Sequence, residues 1–175
     1  ISVGNHGFKY YNNTHYNTAA YLKLPYSFGF GWSASSDGTD NEVYNNIIVE
    51  HRSPASNTGD TFPSGTYVDY NLYRTYTGFL STSSYVYKNF ADWKTFLGGT
   101  NDSHSIDGTD PLFVNVASIP TGFKLQVGSP ALTGGNTGGP IGAYITGNET
   151  IGYTAPASSG AANIGGVSLK GINFR

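Results

Sequence analysis

Apolar and polar positions alternate over short distances along most of this chain. "YYNNTHY" (10–16), "VYNNIIV" (43–49) and "YVDYNLY" (67–73) each set β-branched or aromatic residues around an Asn, and Gly, Asn, Asp and Ser punctuate the runs. That pattern predicts many short strands joined by turns. A helical period shows in one place, "NFADWKTFLGG", where Phe90, Trp93, Phe96 and Leu97 fall on one face. Asn89 suits the cap, Asp92 the third position and Gly98 the end, so one short helix is expected over 89–97.

Aligning Asn13, Asn46 and Asn71 puts the three Asn segments in one frame, 33 and 25 residues apart. Such intervals suit strand-turn units stacked on one another, with equivalent Asn side chains hydrogen-bonded up the stack. Asn is also an ordinary turn residue, and the three matching contexts favour the stack. "DPLFVN" (110–115) reads as a compact strand with Leu112, Phe113 and Val114 buried, its entry set by Asp110-Pro111.

At 175 residues the chain suits one domain. Its 14 Tyr, 10 Phe and 2 Trp supply apolar area that its aliphatics lack, which argues for a folded chain. Charged residues are 11% of the total and the net charge is −2. Neither the basic patch of a nucleic-acid binder nor the basic amphipathic helix of a peripheral membrane protein is present. No apolar run approaches the roughly 18 residues of a membrane span, and no secretory leader pattern opens the chain. Absence of Cys excludes disulfides and thiolate metal sites, and four scattered His argue against zinc. Absence of Met implies that Ile1 is not the translation start, so that activity could reside upstream. The polar, uncharged composition points to an extracellular, cell-surface or virion-surface setting.

The ordered series "NNIIV", "VDYNLY", "FADWKTFLGG", "HSIDGTDPLFVN", "GFKLQVGSPALTGG" and "IGAYITG" resembles the C-terminal end of right-handed parallel β-helix proteins of the pectate-lyase-like superfamily. That superfamily includes secreted polysaccharide lyases and epimerases and phage tailspikes. The resemblance covers about Tyr10 to Gly147. It implies an all-β fold, a right-handed parallel β-helix (solenoid) whose C-terminal coils carry one short helix and a capping tail. Residues 1–147 would be coils and closing strands, with "DPLFVN" covering an otherwise open strand edge. The tail, 148–175, departs from the family ending. Its Gly/Ala/Ser stretch and "GVSLKGINF" leave two roles open: an oligomerisation element, for a homotrimer or another self-association, or an edge strand packed on the body.

The resemblance also implies a polysaccharide ligand. Lyases of this kind need a base near the sugar C5 proton and a cation to neutralise the uronate. The densest ionisable cluster is "VEHR", with Glu50, His51 and Arg52, and His15 takes a comparable place one repeat earlier. Asp37, Asp40 and Glu42 in "SSDGTDNEVY" could pair as glycosidase carboxylates or hold calcium, or form an ordinary turn. Tyr10, Tyr11, Tyr16, Tyr21, Tyr26 and Trp32 crowd one stretch, and rings beside amides and hydroxyls make sugar platforms unless they stack within the coils. Expected glycan contacts are therefore Tyr11, His15, Trp32, Glu50, His51 and Arg52, with no catalytic residue assigned and no cofactor required. The expected function is carbohydrate recognition within a polysaccharide-binding or polysaccharide-degrading protein, lyase or hydrolase. The alternative is a structural or adhesive fibre module.

Overall fold

Three tight bends organise the chain. In the computed structural model, which describes residues 6–16, 28–32, 39–50, 52–57, 62–74, 77–81, 86–118 and 121–143, Asn12, Asn45 and Tyr70 adopt left-handed backbone at φ 55°, 56° and 55°. One such residue turns a strand sharply, and Asn accepts that conformation more readily than Tyr. The bends join β1 (Lys9–Tyr11) to β2 (Thr14–Tyr16), with β3 (Phe28–Trp32) following. They likewise join β4 (Glu42–Tyr44) to β5 (Ile47–Val49), before β6 (Ser53–Asn57), and β7 (Tyr67–Asp69) to β8 (Leu72–Arg74), before β9 (Phe79–Ser81). Then come β10 (Val86–Lys88), α1 (Phe90–Phe96) and β11 (Ile106–Asp107).

Strands three places apart in sequence pair with each other. Two sheets are wholly parallel, β1-β4-β7 and β2-β5-β8-β11, while β3-β6-β9 is parallel but takes β10 antiparallel at its edge. The all-β, right-handed parallel β-helix expected from the resemblance is therefore corrected. The described residues form small parallel sheets of three and four strands with one helix, an α/β-like arrangement in which no closed solenoid is made. The departures are physical. The chain reverses at β10, α1 follows it, and beyond β11 the described chain runs as turns and 3-10 segments with one isolated bridge, Phe113 to Leu125, instead of closing strands. The proposed tail, 148–175, lies outside the described residues.

The helix forms as its sequence predicts. Asn89 accepts the Asp92 amide at 2.9 Å and donates to the Asp92 carboxylate at 2.8 Å, a reciprocal cap. Gly98, at φ 87°, terminates it. Its buried face carries Trp93 into an inner core with Tyr10, Val43, Ile48, Val68, Tyr73, Phe79 and Leu97. β5 is buried on both faces: Ile48 joins that core, while Ile47 and Val49 meet Leu72, Leu125, Ala131 and Ile141 in a second one. The second core exists because the chain after β11 lies across the outer face of β2-β5-β8-β11. That approach is close at Gly142, where φ is 95° and any Cβ would sit 2.7 Å from both Ile47 Cδ1 and Thr14 Oγ1.

Asn13, Asn46 and Asn71, each directly before β2, β5 and β8, form the expected ladder. Asn13 Nδ2 donates to Asn46 Oδ1 and Asn46 Nδ2 to Asn71 Oδ1, both at 3.0 Å. Ser105 ends it, its Oγ accepting the Asn71 amide at 2.8 Å.

Candidate functional site

The strand register sets up one wall of a cleft. Tyr16, Val49 and Arg74 occupy equivalent positions on β2, β5 and β8. Glu50 follows Val49 in left-handed backbone at φ 60°, its amide held by the Arg74 carbonyl at 3.0 Å. "DPLFVN" supplies the other wall. Asp110 Oδ1 accepts the Leu112 amide at 2.8 Å, and Oδ2 meets Arg74 Nη1 at 2.6 Å. Leu112 is itself left-handed, at φ 53°. Left-handed non-glycine residues cost on the order of 1–3 kcal/mol each and persist where surrounding contacts hold them; two of them flank this cleft.

Between the walls lies an open space of about 330 Å³, lined also by residues 113–116. Phe113 is clamped by the Leu125 bridge and by Gln126 Nε2, which donates to its carbonyl at 2.8 Å. Its ring stands edge-on to Tyr16, centroids 6.2 Å apart, and to Phe123 at 5.2 Å. Burial, and then the negative charge of the nearby Glu50 carboxylate, raise the Tyr16 phenol above its usual range, so it keeps its proton at neutral pH. The Arg74–Asp110 pair is partly exposed and contributes at most about 1 kcal/mol to stability; its effect is to orient both groups.

Of the residues expected from sequence, Glu50 lines this cleft. Arg52 does not: its guanidinium lies over Tyr87, 5.4 Å from the ring centre. His51 lies outside the described residues, so the "VEHR" cluster is not assembled as one site. His15 shares its register with core residue Ile48, and its Nε2 meets the Tyr10 hydroxyl. Burial lowers its pKa. Trp32 ends β3, paired with Asn57, and its side chain is outside the described set, as are Tyr21, Tyr26 and Asp37. Tyr11 stacks on Tyr44 at 5.1 Å and 7°, and Tyr44 meets Tyr67 at 6.2 Å, a row outside the cleft lining in which Tyr11 and Tyr67 remain exposed. Glu42 pairs with Lys9 at 2.9 Å and Asp40 accepts the Thr39 hydroxyl at 2.7 Å; neither reaches the cleft.

Tyr16 was among the rings expected as sugar platforms, though not among the singled-out contacts, whereas Arg74, Asp110 and Phe113 were not expected as site residues. The signal was present: Tyr16, Val49 and Arg74 each follow a ladder Asn by the same offset. "DPLFVN" is also corrected as a buried strand. Pro111 is buried, but Leu112 is 36% and Val114 54% exposed.

No protein-family profile, curated protein or solved structure matches this chain. Among the described residues no group of three or more His, Asp or Glu side chains gathers as a metal site. No helix among them is long and apolar enough to cross a membrane.

Proposed function

We propose that this chain recognises carbohydrate, as the C-terminal portion of a polysaccharide-binding or polysaccharide-degrading protein at a cell or virion surface, related to the pectate-lyase-like proteins whose motif order it resembles. The carrying observation is the cleft, where the Tyr16 and Phe113 rings stand beside Glu50, Asp110 and Arg74. Rings offer apolar area to the C–H face of a sugar, and charged groups orient its hydroxyls. Its volume, at the lower end of the usual ligand-pocket range, suits about one or two sugar rings. Titration with a panel of oligosaccharides tests this. Phe113→Ala should weaken binding about tenfold or more, the loss of one aromatic contact, with the far-ultraviolet circular dichroism retained. Unchanged affinity would remove the cleft from the glycan site.

The structural or adhesive reading draws on a different observation: Val114 is 54% and Val127 98% exposed. Self-association would cover side chains of this kind. On that reading, light scattering across a concentration series finds an oligomer with or without sugar, and a monodisperse monomer at high concentration rejects it.

A further inference from the structure

We infer that the cleft selects a hydroxyl-rich, non-anionic glycan and turns away uronate, sulfated or phosphorylated sugars, an inference that rests on the glycan-binding reading above. Two carboxylates, Glu50 and Asp110, line the space against a single guanidinium, Arg74. That guanidinium meets Asp110 through Nη1 at 2.6 Å, so one positive charge faces two negative ones among the lining residues. Among the other described cations, Lys9 pairs with Glu42, Arg52, Lys88 and Lys94 lie over the rings of Tyr87, Phe96 and Phe90, and Lys124, whose carbonyl accepts the Val114 amide, is not among the lining residues.

Hydrogen-bond chemistry points the same way. Asn115, on the cleft wall, has its amide tied into its own turn: Nδ2 donates to Ser118 Oγ at 3.0 Å and Oδ1 accepts the Ala117 amide at 3.1 Å. Gln126 Nε2, behind Phe113, is held by the Phe113 carbonyl. The two carboxylates, by contrast, have about four acceptor sites each, and the bonds found in the structure occupy only part of them. Beyond the Arg74 guanidinium and the Tyr16 hydroxyl, the lining side chains bring acceptors rather than donors. A ligand that fits brings donors, as vicinal sugar hydroxyls do, whereas an anionic group brings further acceptors and a like charge beside Glu50. A uronate-type substrate would therefore lack the neutralising cation that its chemistry requires.

The test is calorimetric titration of the 175-residue chain with neutral trisaccharides of gluco, manno and galacto configuration and with the matching triuronates. Neutral binding with the triuronate at least about tenfold weaker is expected, the scale of one uncompensated charge contact near a surface. The gap should narrow in Glu50→Gln, and in the unaltered protein in about 0.5 M salt, where charges are screened within a few ångströms. The salt arm needs no variant, so misfolding of Glu50→Gln leaves the question answerable. A triuronate that binds as tightly as its neutral counterpart overturns this inference and leaves the glycan reading standing. Absence of binding by either class overturns the glycan reading and the inference with it. A gap that persists unchanged in both Glu50→Gln and high salt overturns its assignment to the charge of the cleft.

Discussion

Replacing Asn46 by alanine is expected to lower the stability of this chain by about 3–5 kcal/mol, because one side chain meets five buried or half-buried groups, its two amide protons shared among three acceptors. Its Oδ1 accepts the Asn13 backbone amide and Asn13 Nδ2, both at 3.0 Å. Its Nδ2 serves the Tyr10 and Tyr44 carbonyls and Asn71 Oδ1, each at 3.0 Å. Asn46 is fully buried, so water cannot replace these partners cheaply. Asn13, at the half-buried end of the ladder, donates to Asn46 and to the Tyr11 carbonyl, and its replacement should cost about 1 kcal/mol. Urea midpoints of the two alanine variants give the comparison. Equal losses would mean that the central rung holds no more of the structure than the end does.

The second large effect is a pH dependence centred on Asp102. This carboxylate is fully buried. Its Oδ1 accepts the Tyr73 hydroxyl at 2.9 Å and the Ser105 hydroxyl at 2.6 Å, and its Oδ2 the Trp93 indole N–H at 3.0 Å. Burial outweighs those donors, with a smaller push from the Asp69 charge, and lifts the pKa from 3.8 to about 6. Between those values the folded chain binds a proton that the unfolded chain has released. The stability contributed by this group is therefore fully present below about pH 4 and lost as pH rises through about 6, a change of about 3 kcal/mol. Asp102→Asn should remove that component, since the amide can present its oxygen to Trp93 and its Nδ2 to the two hydroxyls, which can accept as well as donate. Subtracting the variant's unfolding free energy from that of the unaltered chain between pH 4 and 7 isolates it. A difference that rises with pH would show that the buried carboxylate is held charged.

Nearby, Asp69 accepts four donors: the Tyr70 and His104 amides, the Ser103 hydroxyl and His104 Nδ1. His104 also stacks on Tyr70 at 4.7 Å. This cluster fastens the chain after α1 onto the bend at Tyr70, much as the Asn ladder fastens the earlier bends. Its sequence, "NDSHS", has the composition of an ordinary turn. The partner residues were more than thirty positions away, and nothing in the local pattern pointed to them.

By itself, the sequence determined the elements whose forces are local or periodic. Helix α1 is specified within a few residues, by Asn89 and Asp92 at one end and Gly98 at the other. The Asn ladder follows from repetition, because equivalent side chains in stacked strands must meet. Absence of a strong basic patch was equally legible, being a matter of composition. Only the tertiary structure decided the cleft and the way the chain ends its sheets. "DPLFVN" has the composition of a buried strand, yet Leu112 and Val114 are exposed, because residues 110–116 join no sheet and make a single bridge, Phe113 to Leu125. Glu50 and Arg52 are close neighbours in sequence, but the left-handed backbone at Glu50 redirects the chain, so one lines the cleft and the other covers Tyr87. Asp110 and Arg74 are distant in sequence and share a charge contact only because the second core, around Ile47, Leu72 and Ile141, draws the later chain across the earlier strands. Burial of apolar area drives that crossing without prescribing its direction, and the direction determines which charges meet.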